Sequence, residues 1–112
     1  MDRILNLLGI ARKAGKLAVG SEATALSARD GSATLIINAS DASDGSKRRA
    51  KANASENHVE YLSVPYTMSE LGNITGRGSP GTVAILDKGL SDSFSEKLNL
   101  TQSTKAKESD VL

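Results

Sequence analysis

The run Ala33-Thr34-Leu35-Ile36-Ile37-Asn38 is nearly unbroken in apolar, largely β-branched side chains. A half-exposed strand would alternate apolar and polar residues, whereas this one offers no wet face and so belongs in the middle of a sheet covered on both sides. Val83-Ala84-Ile85-Leu86 has the same character. Two doubly buried strands within 112 residues require helices on both faces of the sheet, and the intervening segments supply them.

Upstream, Ile4, Leu7, Leu8 and Ala11 recur at three and four residues behind Asp2, a suitable N-cap. Arg12 and Lys13 close that helix where its dipole favours cations, and Gly15 stops it. Leu17-Ala18-Val19 is a short strand, and Gly20-Ser21 turns into a second helix through Leu26 that Asp30-Gly31 ends. Downstream, the Ser- and Asp-rich stretch Ala39 to Gly45 precedes a polar helix from Ser46 to Asn57, lightly buried through Ala50 and Ala54. Val59 to Val64 alternates as a strand closed by Pro65. Thr67 and Glu70 form a T-x-x-E capping box for a short helix ending at Gly76. A loop from Arg77 to Gly81 leads to the last strand, and Ser91 to Leu98 is a final helix with Phe94 and Leu98 four apart. The expectation is one α/β domain over residues 1–100, followed by a polar, disordered tail over 101–112.

The chain has no cysteine and a single histidine, His58. Thiolate zinc sites, disulfide scaffolds and cysteine nucleophiles are excluded, and a histidine-built metal centre or Ser-His triad lacks its parts. Fourteen Lys and Arg against thirteen Asp and Glu leave a net charge of +1, so a nucleic-acid or membrane partner would have to meet a local patch. No apolar run approaches the roughly 20 residues that cross a bilayer, and the amphipathic N-terminus lacks a signal-peptide core; the expected location is the cytoplasm. Aromatic residues are only Tyr61, Tyr66 and Phe94, too few for the stacking platforms that hold single strands.

No segment fits the phosphate-cradling pattern G-x-x-x-x-G-K followed by Ser or Thr, and Gly72 to Gly78 does not lead from a strand into a helix. Asp41 and Asp44 precede a helix, where carboxylates complement the dipole, and Asp87 is a turn residue ahead of Gly89. His58 reads as a surface or hinge residue. No catalytic residue, metal or cofactor is called for. Two features stay open. Lys47, Arg48, Arg49 and Lys51 either touch phosphates or form the solvated face of a helix. Gly20-Ser21-Glu22, with Arg12, Lys13 and Lys16 just upstream, is either a grip for a nucleic-acid backbone or an ordinary capped helix beside a charged helix end.

The order of these pieces then matters. Leu8 to Gly20 (L-G-I-A-R-K-A-G-K-L-A-V-G), the strand Leu35 to Asn38, Ala39 to Ser43 (A-S-D-A-S), Pro65-Tyr66, Glu70 to Gly72 with Gly76, and Val83 to Gly89 (V-A-I-L-D-K-G) together resemble the kink-turn-binding ribosomal-protein superfamily of L-seven-Ae type, in particular its small bacterial YlxQ-like members. The similarity runs in order from about residue 2 to residue 98. It implies a three-layer α/β/α sandwich with a central mixed sheet, and non-catalytic binding of structured RNA, either ribosomal RNA or another kink-turn, in association with ribosomal particles. The RNA would meet the glycine turn Gly20, Ser21 and Glu22 and the loop Arg77, Gly78 and Ser79 to Gly81, with Arg12, Lys13 and Lys16 on phosphates. The chain departs from the family pattern after the glycine. Glu22 can still accept from a guanine edge, but Ala23 has no polar group and Leu26 cannot bind phosphate, so affinity for a standard kink-turn should fall. The rival expectation is a protein-interaction module on the same scaffold.

Overall fold

The computed structural model describes the backbone of residues 2–111 and the side chains of residues 2–100. Its elements are α1 (Arg3–Lys13), β1 (Leu17–Val19), α2 (Ser21–Arg29), β2 (Leu35–Asn38), α3 (Asp44–Glu56), β3 (Glu60–Ser63), α4 (Met68–Thr75), β4 (Thr82–Ile85) and α5 (Lys88–Val111). The four strands form one sheet in the order β1-β4-β2-β3. Only β2 and β3 run parallel, so the sheet is mixed. The two apolar runs occupy its centre as expected, and every residue of β2 and β4 is buried.

Alternation along those strands sorts the core into two layers. Leu35, Ile37, Val83 and Ile85 face one way, onto Leu8 of α1, Leu71 of α4, and Phe94 and Leu98 of α5. Ile36 and Ala84 face the other way, onto Ala28 of α2 and Ala50 and Ala54 of α3. The result is a three-layer α/β/α sandwich. Its two outer layers are unequal. Large side chains fill the first interface, whereas the second is built almost wholly of alanine, which lets α2 and α3 lie close to the sheet.

Local chemistry explains the boundaries. The Asp2 side chain accepts from the Ile4 and Leu5 N–H groups at 2.8 and 3.0 Å and starts α1. The Thr67–Glu70 capping box is present, with Gly76 in the left-handed conformation closing α4. Several expected boundaries moved. Helix α3 begins two residues earlier because Ser43, rather than a later serine, caps it by accepting from the Ser46 N–H at 3.1 Å. Helix α2 runs past Leu26 to Arg29, with Asp30 as its C-cap. Helix α5 begins at Lys88 because Asp87 accepts from the Leu90 N–H at 2.9 Å through its carboxylate and from the Ser91 N–H at 2.9 Å through its carbonyl. The segment from Thr101, expected as a polar, disordered tail, instead carries the backbone of α5 to Val111, and its side chains lie outside the described residues.

Candidate nucleic-acid interface

The glycine bend follows from where β1 ends. Val19 pairs with Val83, and immediately afterwards the Gly20 N–H donates to the Thr82 carbonyl at 2.8 Å. Leaving the sheet there and entering α2 at once requires φ 102° and ψ 161° at Gly20, a region that essentially only glycine occupies. Gly20 brings no side chain to cap α2, and its carbonyl accepts from the Thr24 N–H at 3.0 Å. The N–H groups of Ser21, Glu22 and Ala23 are therefore the uncapped first turn of the helix, where its dipole is positive. Glu22 and Ala23 are exposed and Ser21 is half-buried.

The facing wall comes from the end of α4. Gly76 turns left-handed (φ 71°) with its N–H on the Gly72 carbonyl at 2.8 Å, and the chain then folds back over the helix it has just left. A Cβ at Gly72 would fall 1.7 Å from the Gly78 carbonyl oxygen, so the loop is seated on bare glycine backbone. From the last turn of α1, the Arg12 guanidinium lies across Gly76; a Cβ there would be 3.0 Å from one of its nitrogens. Between the walls is a cleft of about 350 Å³ floored by β1 and lined by Arg12, Ala23, Thr75 and Arg77. Among the described residues, neither arginine takes part in an ion pair.

The far end of the loop is held from beneath. The Gly81 carbonyl accepts from the Ala39 N–H at 2.9 Å and from Asn38 Nδ2 at 3.0 Å. Asn38 Nδ2 also donates to Thr82 Oγ1 at 2.9 Å, while its Oδ1 accepts from the Tyr61 hydroxyl at 2.7 Å. Asn38 is wholly buried, and this amide is satisfied on both sides, which makes it a rigid staple rather than a liability.

Of the residues singled out in the sequence, the fold brings Arg12 and Arg77 together, 65 positions apart in the chain, opposite the start of α2. Gly78 (φ 30°) and Ser79 are exposed in the loop beside them. Lys13 and Lys16 are exposed but do not line the cleft. Lys16 lies at the opposite end of β1 from Gly20, its carbonyl accepting from the Leu86 N–H at 2.8 Å. Sequence reasoning missed the β1 floor, Thr75 and the Asn38 staple. An asparagine closing an otherwise apolar strand was the available signal for the last. Among the described residues no three His, Asp or Glu side chains gather to hold a metal, and no helix is long and apolar enough to cross a membrane.

Fold and cleft together define a small α/β/α domain with a basic cleft beside the edge strand β1. The chain belongs to the ribosomal protein L7Ae/L30e/S12e/Gadd45 family, whose model matches residues 2–95. It is 30% identical over 96 residues to the RNA-binding protein YlxQ of Enterococcus faecium, covering 85% of this chain and 90% of that protein. A protein of unknown function from Bacillus halodurans superposes with a TM-score of 0.81 at 24% identity, over 88% of this chain and 99% of the other. The Giardia lamblia 15.5kD RNA binding protein superposes with a TM-score of 0.69 at 17% identity, over 88% of this chain and 84% of the other. The last two likenesses bear on the fold alone.

Proposed function

We propose that this protein binds a sharply bent, kink-turn-like RNA through the cleft between the Gly20 bend and the Arg77–Gly81 loop, working in the cytoplasm in association with ribosomal particles. The observation that carries this is the convergence of Arg12 and Arg77 on the uncapped start of α2. Membership of a ribosomal-protein family and similarity to the RNA-binding YlxQ protein support it. Backbone N–H groups at Ser21 to Ala23 receive a phosphate, the two guanidiniums hold phosphates on either side of the bend, and the exposed Glu22 carboxylate accepts from a guanine edge. Ala23 contributes only apolar surface and Leu26 no cation. Each missing polar contact should cost roughly 1–3 kcal/mol against a fully equipped binder.

The test is a salt titration of binding to a kink-turn RNA. Arg12→Ala and Arg77→Ala should each reduce the slope of log affinity against log salt by about 1, with a smaller effect from Lys16→Ala, which stands outside the cleft. Binding that is undetectable at low salt, or insensitive to salt, would overturn the proposal.

A protein-interaction role on the same scaffold is favoured by one observation: Leu26, on the outward face of α2, is 59% exposed. Copurification separates the two. Nuclease-sensitive association with ribosomal particles supports RNA binding, and nuclease-resistant capture of a protein that Leu26→Ser abolishes supports the other.

A further inference from the structure

The geometry points to a second contact surface: the outer face of α3, where Lys47, Arg48, Arg49 and Lys51 would hold the phosphates of a double-stranded arm leaving the bend. This inference rests on the RNA-binding function proposed above. Its first support is position. Strand β2 ends where β4 begins, Asn38 opposite Thr82, so α3 starts at the same end of the sheet as the cleft. Ser46 Oγ lies 3.1 Å from Thr82 Oγ1, and a Cβ on Gly81 would meet Ser46 Oγ and Ala42 Cβ at 3.3 Å. The first turn of α3 thus abuts the 77–81 loop, and the helix then runs back beside α2.

The second support is a concentration of positive charge that no carboxylate on the helix neutralises. Four cations occupy the five positions 47–51, with no carboxylate between Asp44 and Glu56. Asp44 stands one turn before Arg48, yet among the described residues it makes no ion pair with it.

The third support is arrangement. Ser46, Ala50 and Ala54 point inward, which turns Arg48 and Arg49 outward, both exposed. The flanking lysines are held in place: Lys47 Nζ donates to the Ser40 carbonyl at 3.1 Å, and Lys51 Nζ stands 5.8 Å from the centre of the Tyr61 ring. Two fixed cations and two reaching ones make a ridge rather than a point. No large apolar or aromatic side chain is exposed on α3, so the face offers a protein partner no apolar anchor to bury. A regular RNA duplex, recognised through backbone and shape, needs none.

The experiment compares two RNAs sharing one bent core, the second with a duplex arm extended by roughly one helical turn. Wild-type protein should bind the extended RNA more tightly and with a steeper salt dependence. The Arg48→Gln, Arg49→Gln double variant should lose that gain, its slope on the extended RNA falling by about 2, while keeping its affinity for the core. Arg48→Lys, Arg49→Lys should restore much of it. The Gln variant should melt close to wild type, because both changes are exposed and exchange one good helix former for another. Equal gain from the arm in wild type and Gln variant, or no gain in wild type that still binds the core, overturns this inference and leaves the cleft proposal standing. Wild-type protein that binds neither RNA removes both. Nuclease-resistant capture of a protein through Arg48 and Arg49 would assign the ridge to that protein and overturn the inference as well.

Discussion

Replacing Gly72 by alanine should damage this protein although alanine is the better helix former. In a helix interior the exchange favours the helix by about 1 kcal/mol. Here the added methyl would stand 1.7 Å from the Gly78 carbonyl oxygen and 2.8 Å from its carbon, against an ordinary contact of about 3.5 Å. Both partners are backbone, so no rotamer change relieves the overlap, and the loop must retreat by roughly 1.8 Å. Overpacking of this kind costs about 1–3 kcal/mol, and the retreat also pulls on the Gly81 carbonyl held by Ala39 and Asn38. Set against the propensity gain, a net loss of about 1–2 kcal/mol lowers the melting temperature by roughly 4–9 °C in a domain of this size. Thermal unfolding followed by circular dichroism reads it. Gly45→Ala is the control, because Gly45 lies in the first turn of α3 with nothing within 4 Å of its would-be Cβ. It should raise stability by roughly 0.5 kcal/mol. Gly72→Ala melting at or above the wild-type temperature, with Gly45→Ala behaving as expected, would refute the seating of the loop on α4.

Gly20→Ala meets no steric obstacle, yet φ 102° with ψ 161° is so unfavourable for an L side chain that roughly 1–3 kcal/mol of stability should be lost; unchanged denaturant midpoints would contradict this. His58 is the one described non-glycine residue at positive φ, 56°, immediately after α3, so His58→Gly should stabilise by about 1 kcal/mol, measurable by urea titration. The Tyr66 hydroxyl is pushed up from its ordinary range by burial and by the hydrogen bond and charge of Asp2. A raised folded-state pKa favours the fold below the unfolded value of about 10 and withdraws that support as pH rises beyond it, so stability should decline in alkali and Tyr66→Phe should flatten the decline. Asp2 shows the opposite sign. Against a burial that raises it, hydrogen bonds from Leu5, Tyr66 and Ile4 hold its carboxyl below 3.8, so its contribution is present above that value and fades in acid; Asp2→Asn should lessen the acid sensitivity.

What the chain disclosed in advance was whatever depends on neighbours in sequence. The runs at 33–38 and 83–86 placed β2 and β4 at the sheet centre because burial on both faces leaves no polar alternation. The Thr67–Glu70 box and the glycine bend were legible because cap and turn chemistry are short-range. The start of α3 was not, since several serines there can each serve as a cap and packing chooses among them. The cleft was only half legible. Arg12 and Arg77 could each be noted as cations, but that they flank Gly76 together depends on α1 lying against α4. Nor could spacing reveal that Lys13 and Lys16, so near Arg12 in the chain, stand clear of the cleft.

The hydrogen bond from the Gly20 N–H to the Thr82 carbonyl ties the bend to the first residue of β4, from which the opposing loop also hangs. The two jaws of the cleft are thus clamped to one strut and cannot spread independently. For the RNA proposed above, a gauge with fixed jaws would test curvature before reading any letter: a backbone already bent to the right angle would enter with little ordering still to be done, and a straighter one would be refused.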